Sequence, residues 1–559
     1  MPATTLRWSP GPALTPERRE ELMGPGAPFE MAAGEVLGAS HDIFLDRLPH
    51  LRALLLTGAS RDADRPYLVD GDTTVTFGQA AEMVASTAVA LRDEHGIGKG
   101  DRVALAAANR FEHVIVAWAV IALGGVIVAL NGWWTGAELE YGIGLTSPKL
   151  LVGDAKRLAR LQGMAGRPPA RDLDEACPGW FSGGCAMPGT AIEEDDPFVI
   201  LFTSGTTGRP KGAVLTHRNQ LHWMQSIALR QAAAGTTPTD ACEIAALPLF
   251  HLSGLNSQAI SSVGTATKLV YMPRGRWGPE QHLRTTAEHR VTTWRLVPTQ
   301  AWRLLEFPEV DRYDVSSLRS IVGGGSVWAP ALLERLAEKW PHARSGLVVG
   351  YGMTETNGTG ATAVMPGLLA RPGNVGGPPP AATIRVCRPG TDSQVEDGAA
   401  GEVQIRSASL FVGYHANPEA DTAALSPDRW YRTGDFGRVV DGLLFLDGRR
   451  SDLILRGGEN IYPAEIEDRL HAHPDVTDAV VAGVAHRVLG QEVKAYVVRS
   501  PGSDLDTEGV RDWVAAVLAP FKVPAHVEFR DAIHRNATGK ALKHLLDDAG
   551  APPPFAGED

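Results

Sequence analysis

A loop rich in glycine and hydroxyl side chains, placed directly after an apolar run, is the strongest constraint on how this chain can fold. Residues 198–202 are wholly apolar and predict a buried strand, and residues 203–212 contain three glycines, four Ser or Thr residues, an arginine and a lysine. Such a loop can present backbone N–H groups, hydroxyls and cations to a polyphosphate. Its spacing differs from the Walker A motif, because only two residues separate Gly208 from Lys211 and Gly212 follows the lysine. A flexible linker is the alternative interpretation.

Length, charge and cysteine usage narrow the class of protein. A chain of 559 residues exceeds a single hydrophobic core and predicts two or more domains. The formal net charge of −12 argues against a nucleic-acid binder, which needs a positive face. The four cysteines form no C-x-x-C pair, and the first residues have no apolar signal-peptide core. These features are typical of a reduced, cytoplasmic protein.

One apolar stretch, residues 114–130, is close to membrane-spanning length. The pair Gly124-Gly125 divides it, which predicts a helix over 111–123 and a strand over 126–130. With a preceding strand over 102–108, this gives a βαβ unit in a buried parallel sheet. We therefore expect no integral membrane association.

The chain as a whole is predicted to be α/β, with a large multi-layer N-terminal domain of mixed sheets and helices and a small mobile α+β C-terminal domain joined by a hinge. An Asp-Gly pair at 441–442 between apolar runs predicts a two-residue hairpin. A second Asp-Gly pair and a charged cluster follow it and indicate the hinge. The predicted division is an N-terminal extension at 1–40, expected to be poorly ordered, domains at 41–448 and 449–545, and a tail at 546–559.

Five further segments carry residues suited to nucleotide chemistry. Glycines at 323–325 let a flat ring approach the backbone, and Tyr351 offers a stacking face for a purine. Glu355 can hold Mg²⁺ that bridges phosphates. Asp435, expected where a strand meets a loop, can accept hydrogen bonds from both ribose hydroxyls. The paired glycines at 457–458 suit a narrow passage for a thiol arm, and Lys540 can reach a carboxylate and a phosphate together. Taken singly, each segment is also compatible with an ordinary turn or a solvated side chain.

Rival motifs are weak. The chain has no H-E-x-x-H and no G-x-S-x-G. Residues 358–363 spell G-x-G-x-x-A without a preceding strand, which argues against a dinucleotide site. Four histidines, His217, His222, His471 and His473, are predicted to be surface or helix-end residues rather than metal ligands.

The six segments, in this order, resemble the adenylate-forming superfamily of acyl-CoA synthetases, peptide-synthetase adenylation domains and luciferases. The resemblance covers residues from about 40 to about 545. It implies ATP- and Mg²⁺-dependent activation of a carboxylic acid to an acyl-adenylate, followed by transfer to the CoA thiol with release of AMP and pyrophosphate. Transfer to an amine or a carrier-protein thiol is one alternative, and a catalytically silent nucleotide-binding protein is another.

The resemblance also implies a role for each site residue. Those that embrace the phosphates are Thr203, Ser204, Gly205, Thr206, Thr207, Gly208 and Lys211. Those around adenine and the α-phosphate are Gly324, Gly325, Ser326, Tyr351, Gly352 and Thr354. Asp435 and Arg449 would hold the ribose, and Glu355 the magnesium. Lys540 would stabilise carboxylate attack on the α-phosphorus, whereas Gly457 and Gly458 would serve the thiol step. Ser451 stands at the hinge position, where relatives often carry Asp or Lys.

The acyl pocket implied by the same resemblance is built from apolar or small residues. Its members are Trp223, His251, Leu252, Ser253, Val322, Gly323, Gly350 and Met353. Such a lining predicts a fatty, alicyclic or aromatic acid. No aspartate aligns with the residue that holds the amine in amino-acid-activating relatives, so a free amino acid is disfavoured. The expected partners are small molecules only, and the expected oligomeric state is a monomer or a homodimer.

Overall fold

Three large sheets are built from residues up to 449, and a smaller sheet is built from residues after 453. The structure is a computed structural model that describes residues 4–9, 14–203, 209–237, 240–273, 275, 277–325, 328–449, 452–456, 459–536 and 540–546. This arrangement confirms the predicted fold class, a large multi-layer α/β region followed by a small α+β region.

The seven-stranded sheet contains the predicted βαβ unit. Strand Arg102–Ala106, helix Phe111–Ala122 and strand Val126–Ala129 follow one another, and the two strands pair in parallel. The buried strand Pro197–Thr203, also predicted, pairs with Val126–Ala129 on one side and with Lys211–Thr216 on the other. In spatial order the strands are Gly413–Tyr414, Lys211–Thr216, Pro197–Thr203, Val126–Ala129, Arg102–Ala106, Leu150–Gly153 and Ala170–Asp172.

The eight-stranded sheet faces the first one across a shared layer of helices. Its strands in spatial order are Ala361–Val364, Leu347–Tyr351, Ser320–Gly323, Thr293–Leu296, Cys242–Ile244, Lys268–Tyr271, Pro66–Asp70 and Thr73–Thr76. Helix Phe111–Ala122 lies in the shared layer, and all of its residues from 113 to 122 are buried. Among the described residues, no helix combines the length and the apolar composition that a membrane crossing requires.

The six-stranded sheet is antiparallel, and its strands in spatial order are Leu6–Arg7, Ala382–Cys387, Gly401–Ser407, Tyr431–Val440, Leu443–Arg449 and Asn374–Gly376. Asp441 and Gly442 form the predicted two-residue turn, with φ values of 49° and 78°.

Asp435 was expected where a strand meets a loop, and this expectation was wrong. It lies inside strand Tyr431–Val440, opposite Arg449, because pairing with the neighbouring hairpin strand continues on both sides of a register shift after Phe436.

The small sheet follows the hairpin. Its strands are Ile454–Arg456, Glu459–Ile461, Val476–His486, Gly490–Arg499 and His526–Arg530, and helices Pro463–His471 and Thr507–Ala515 pack on it through a separate apolar cluster. We propose that the domain boundary lies near residue 449, because the six-stranded sheet ends there and the next described strand belongs to the small sheet.

The N-terminal segment corrects one prediction. Helix Pro16–Met23 packs through Leu22 on Leu229 and Phe44, both of which are fully buried, and the hairpin Met31–Val36 with Ala39–Phe44 completes this layer. The expectation of poor order over 1–40 was therefore wrong for the described part of that segment. A few large apolar side chains suffice to fix it, although its composition is dominated by small residues.

The remaining helices connect these sheets. The α-helices and the π-helix are Leu51–Arg61, Phe77–His95, Gly136–Thr146, Ala155–Ala159, Leu173–Trp180, His217–Ala234, Leu252–Gly254, Leu255–Ile260 (π), Ser261–Gly264, Pro279–His289, Pro298–Leu305, Pro330–Lys339, Gly367–Ala370 and Pro418–Ala424. Short 3₁₀ turns are Val310–Arg312, Pro341–Gly346, Thr354–Thr356, Pro520–Lys522 and Lys543–Leu545.

The histidine predictions were only partly right. His217 begins its helix and His471 ends its helix, as expected, but His217 is buried. His222 lies within the same helix as His217, buried between the Ser409 hydroxyl and the Asp42 carbonyl, and burial lowers its pKa to about 4. In the described part of the chain, no group of three or more His, Cys, Asp or Glu side chains is placed to hold a metal ion.

Candidate active site

The side chains of Lys211 and Glu355 both contact Tyr414. Strand Gly413–Tyr414 pairs with Lys211–Thr216, and this brings the ring of Tyr414 to 5.1 Å from the Lys211 ammonium. The Tyr414 hydroxyl donates a hydrogen bond of 2.9 Å to Oε1 of Glu355. Burial and the adjacent Glu355 carboxylate raise the pKa of Tyr414, so this hydroxyl stays protonated and remains a donor. Tyr414 follows no local motif, and the sequence analysis missed it.

Glu355 is held rigidly although it lies in a short turn. It is buried within the 3₁₀ turn Thr354–Thr356, and its carbonyl accepts a hydrogen bond of 2.9 Å from the Phe411 amide. Asn357 ends the turn in the left-handed conformation, with φ of 48°. Within the described residues, the second carboxylate oxygen of Glu355 accepts no hydrogen bond. The Glu355 carboxylate is thus fixed through one oxygen, and its other oxygen can bind a cation. This suits Mg²⁺, which takes its remaining ligands from water and substrate phosphates.

Tyr351 and Asp435 form a second pair beside the first. Tyr351 is the last residue of strand Leu347–Tyr351, and its hydroxyl donates to Oδ2 of Asp435 at 2.8 Å. The amide of Asp435 donates to the Thr433 hydroxyl at 3.0 Å, which fixes the backbone of this buried residue. The ring and the carboxylate thus come from different sheets and meet at one edge.

Two of the predicted glycines are required by close packing. A Cβ at Gly323 would lie 2.3 Å from the Trp328 indole, and a Cβ at Gly352 would lie 2.5 Å from the Gly358 carbonyl oxygen. Neither space can admit a larger side chain without movement of backbone or a bulky ring. The indole Nε1 of Trp328 is buried without a hydrogen-bond partner among the described residues, and Trp328 was not singled out from the sequence.

A cleft between the large region and the small sheet collects several of these residues. Its volume is about 680 Å³, and its lining includes Gly325, Gly350, Tyr351, Gly352, Met353, Asp435 and Lys540. Lys540 is held in a turn, because its amide donates to Asn536 Oδ1 and its carbonyl accepts from the Asn536 amide, each at 2.8 Å. The structure therefore brings the C-terminal lysine to the same cleft as the Tyr351–Asp435 pair.

The predicted acyl-pocket residues fall into two groups. Val322, Gly323, Gly350 and Met353 lie at or just beyond the ends of adjacent parallel strands. Trp223 and Leu252 face each other across Gly358, since a Cβ there would lie 3.5 Å from the Trp223 Nε1 and 3.6 Å from Leu252. Ser253 follows Leu252 in helix Leu252–Gly254. Ser257 and Gly358 belong to this group but were not predicted.

His251 precedes that helix and is partly buried. Its Nε2 atom is buried and has no hydrogen-bond partner among the described residues. Burial lowers the pKa of His251 to about 4, so the ring is neutral near pH 7. A neutral imidazole suits the wall of an acid-binding pocket, because it can donate or accept one hydrogen bond without a fixed charge.

Other predicted residues are placed only in part. Thr203 ends its strand opposite Lys211, so both ends of the predicted phosphate loop are adjacent. Gly324 follows strand Ser320–Gly323, Thr354 begins the 3₁₀ turn, and the backbone of Arg449 pairs with that of Asp435. The predicted residues outside the described ones are Ser204, Gly205, Thr206, Thr207, Gly208, Ser326, Ser451, Gly457 and Gly458.

Two family models match this chain. One is described as AMP-binding enzyme and matches residues 56–415, and the other is described as AMP-binding enzyme C-terminal domain and matches residues 465–540. Among curated relatives, 2-succinylbenzoate–CoA ligase of Bacillus licheniformis is 36% identical over 86% of this chain and 96% of its own length. The 4-coumarate–CoA ligase 2 of Oryza sativa is 31% identical, over 86% of this chain and 89% of its own.

Solved structures of CoA ligases are also similar to this chain. MatB from Rhodopseudomonas palustris with bound ATP is 28% identical, has a TM-score of 0.78 and covers 89% of this chain and 98% of its own. The o-succinylbenzoate CoA synthetase from Bacillus subtilis, in complex with its acyl-adenylate intermediate, is 29% identical with a TM-score of 0.78, over 90% and 99% of the two chains. This chain therefore belongs to the adenylate-forming family of AMP-binding enzymes and is an AMP-forming acid–CoA ligase.

Proposed function

We propose that this ligase activates an acid with an apolar body, using ATP and Mg²⁺ at the cleft that holds Tyr351, Asp435 and Lys540. The observation that carries the proposal is that Tyr351, Asp435 and Lys540 line one cleft. The Lys211–Tyr414–Glu355 group lies near it, because Tyr431 is within electrostatic reach of Glu355, Tyr414 and Asp435. Residues from the large region would bind the nucleotide, and the small domain would supply the lysine.

The chemistry explains why such a set is needed. A carboxylate is a poor electrophile because its leaving group would be oxide, and transfer to AMP gives it a good leaving group. Two anions must approach each other in that step, so fixed cations and hydrogen-bond donors supply much of the rate. In our proposal Lys211 faces the phosphates and Lys540 neutralises charge between the carboxylate and the α-phosphorus. Mg²⁺ bound by Glu355 would neutralise phosphate charge further.

Recognition of the nucleotide would use Tyr351 and Asp435. We propose that adenine lies against the ring of Tyr351 and the glycines that end strand Ser320–Gly323, whereas the Asp435 carboxylate accepts hydrogen bonds from the ribose. The hydroxyl of Tyr351 fixes the carboxylate before the nucleotide binds, which lowers the entropic cost of binding. Arg449, Thr354 and the loop over 204–208 complete this proposed site.

The second step would require the small domain to turn. Lys540 serves only the formation of the acyl-adenylate, and we propose that rotation about the segment near Ser451 replaces it with the pair Gly457 and Gly458, past which the CoA thiol reaches the acyl carbon. Such alternation of two domain poses is a hinge motion.

The acid would lie between Trp223, Leu252 and Gly358, beside His251. Relatives are named for 2-succinylbenzoate, 4-coumarate and long-chain fatty acid, and we propose an aromatic, alicyclic or aliphatic acid for this chain too.

The scattered free cysteines support a cytoplasmic location. We expect a monomer or a homodimer, which light scattering on the purified chain can distinguish.

Product analysis tests the proposal. The purified chain is incubated with a panel of acids, ATP, Mg²⁺ and CoA, and AMP, pyrophosphate and thioester are measured. We expect all three in equal amounts with at least one acid. Acyl-adenylate without thioester under every CoA condition, together with amide formation from an added amine, would instead support amine acylation.

A further inference from the structure

Lys540 is held by a short turn whose two ends pair with each other. The backbones of Arg535 and Ala541 form an antiparallel bridge across this turn. Asn536 closes it, because its amide donates to the Lys540 carbonyl and its side chain accepts from the Lys540 amide, each at 2.8 Å. The position of Lys540 therefore follows that of Arg535, which pairs with the residue directly after the lysine.

The guanidinium group of Arg535 is bound to a carboxylate of the small sheet. Its Nη2 atom donates to Oδ1 of Asp478 at 2.6 Å, and its Nε atom donates to Oδ2 at 3.2 Å. The two side chains are 12% and 19% exposed, so water competes little for these bonds. Two parallel hydrogen bonds to one carboxylate fix the orientation of a planar guanidinium as well as its distance. This end of the turn is therefore anchored in one geometry.

Asp478 is itself part of the ordered core of the small domain. It lies in strand Val476–His486, which pairs with strand Gly490–Arg499, and its Oδ1 atom lies 3.5 Å from Nε2 of His471. Burial alone would raise the pKa of Asp478, but the hydrogen bonds from His471 and Arg535 hold it below its usual value. The carboxylate is therefore ionised near pH 7. The anchor of Arg535 thus lies in regular secondary structure, not in a loop.

The pair lies where the reaction is proposed to occur. Arg535, Asp478 and Lys540 line the cleft that also holds Tyr351 and Asp435. A largely buried ion pair contributes little net stability, because lost hydration offsets the attraction, but it can fix a geometry. A cation that must meet a transition state needs such fixation, since a misplacement of about 1 Å can cost roughly 100-fold in rate.

We propose that Arg535 is a positioning residue for Lys540 in the formation of the acyl-adenylate. Paired with Asp478, it fixes the turn from which Lys540 reaches the acid and the α-phosphorus, and it does not itself contact either. The inference rests on the proposed function, because it requires Lys540 to act in this step. Since Lys540 has no part in the thiol step, loss of the pair should slow adenylation and leave transfer to CoA unchanged.

Separate measurement of the two half-reactions tests the inference. Adenylation is followed by pyrophosphate release with the best-used acid of a panel that includes octanoic, cyclohexanecarboxylic and benzoic acids. The thiol step is followed by thioester formation from supplied acyl-adenylate. We expect Arg535→Met to lose about 10- to 100-fold in kcat for adenylation at a nearly unchanged KM for ATP, with less than about a twofold change in the thiol step.

Two further variants give the comparison. Arg535→Lys keeps the charge but only part of the geometry, so it should lose less adenylation than Arg535→Met. The control Arg469→Met removes an arginine of the same domain that lies against the Trp513 ring, with 3.6 Å to the ring centroid, and that is not among the residues lining the cleft. It should leave both half-reactions unchanged.

A double-mutant cycle separates positioning from a general structural role. In the Lys540→Ala background, Arg535→Met should slow adenylation by less than about twofold, because no lysine remains to be positioned. Single-turnover measurements with excess enzyme give these slow rates. Losses that multiply in the double variant would show that Arg535 acts independently of Lys540 and would overturn the inference. An equal loss of both half-reactions in the single variants would overturn it as well.

Failure to fold is kept apart from failure of the idea. All rates are measured well below the Tm of each variant, and if Arg535→Met does not fold, the same cycle is run with Arg535→Lys. Adenylation at the natural rate in the folded variant would refute the assignment of Arg535 while the ligase function stands. Absence of adenylation by the natural chain with every acid would contradict the proposed function, and this inference with it.

Discussion

The Tyr351 hydroxyl donates a hydrogen bond of 2.8 Å to the Asp435 carboxylate and so joins the proposed adenine site to the proposed ribose site. Tyr351→Phe keeps the ring and removes this bond. We expect the KM for ATP to rise about two- to tenfold with little change in kcat, because the effect is on binding of the nucleotide. Steady-state kinetics with varied ATP measure this. A fall in kcat at unchanged KM would mean that the hydroxyl acts in the chemical step.

The Tyr414 hydroxyl orients the carboxylate proposed to bind Mg²⁺. Tyr414→Phe should raise the Mg²⁺ concentration needed for half-maximal adenylation by about tenfold, because groups that orient a metal ligand tune its affinity. Pyrophosphate release over a magnesium titration gives this value, and Tyr313→Phe, at an exposed tyrosine hydroxyl, is the control. Identical magnesium dependence in the natural chain and Tyr414→Phe would refute the assignment of Glu355.

Lys540 lies in the cleft on the small-domain side. Lys540→Ala is expected to slow adenylation by about 100-fold or more, because it removes a cation aimed at the developing charge. Thioester formation from supplied acyl-adenylate should be nearly unchanged. The two half-reactions are measured separately, with Lys339→Ala, which breaks a surface pair with Asp311, as the control. Equal loss in both half-reactions would indicate a structural role for Lys540.

Asp468 gives a pH-dependent prediction. It lines the cleft from helix Pro463–His471, and burial raises its pKa from 3.8 to about 6. Between these values the folded protein holds a proton that the unfolded chain has lost, so the free energy of unfolding falls as pH rises from about 4 to about 6 and stays reduced above. Asp468→Asn should therefore stabilise the small domain by about 1–3 kcal/mol at pH 7.5 and by almost nothing at pH 4. Denaturant titrations at both pH values measure this, and an equal gain at both would rule out ionisation as the cause.

The sequence predicted the elements whose pattern is local. The strand before the phosphate loop, the βαβ unit and the Asp-Gly turn at 441–442 all follow from apolar periodicity and turn chemistry over a few residues. Asp435 was misplaced, because the neighbouring strand that extends Tyr431–Val440 cannot be recognised from that segment alone.

Residues defined by distant partners could not be predicted. Tyr414 matters because strand pairing sets it beside Lys211 and Glu355, and Trp328 because it fills the space above Gly323. His222 differs from expectation for the same reason: the N-terminal layer that covers it is far away in sequence.

Helix Phe111–Ala122 touches strand Pro66–Asp70 of the eight-stranded sheet as well as Arg102–Ala106 and Val126–Ala129 of the seven-stranded sheet. An element that is apolar on every side cannot slide past either neighbour without exposing part of its surface to water. We therefore expect the two sheets to move together. On that expectation, any change in the distance between Lys540 and the proposed nucleotide site during turnover would arise from the chain beyond residue 449, and the proposed acid pocket would keep its shape while that change occurs.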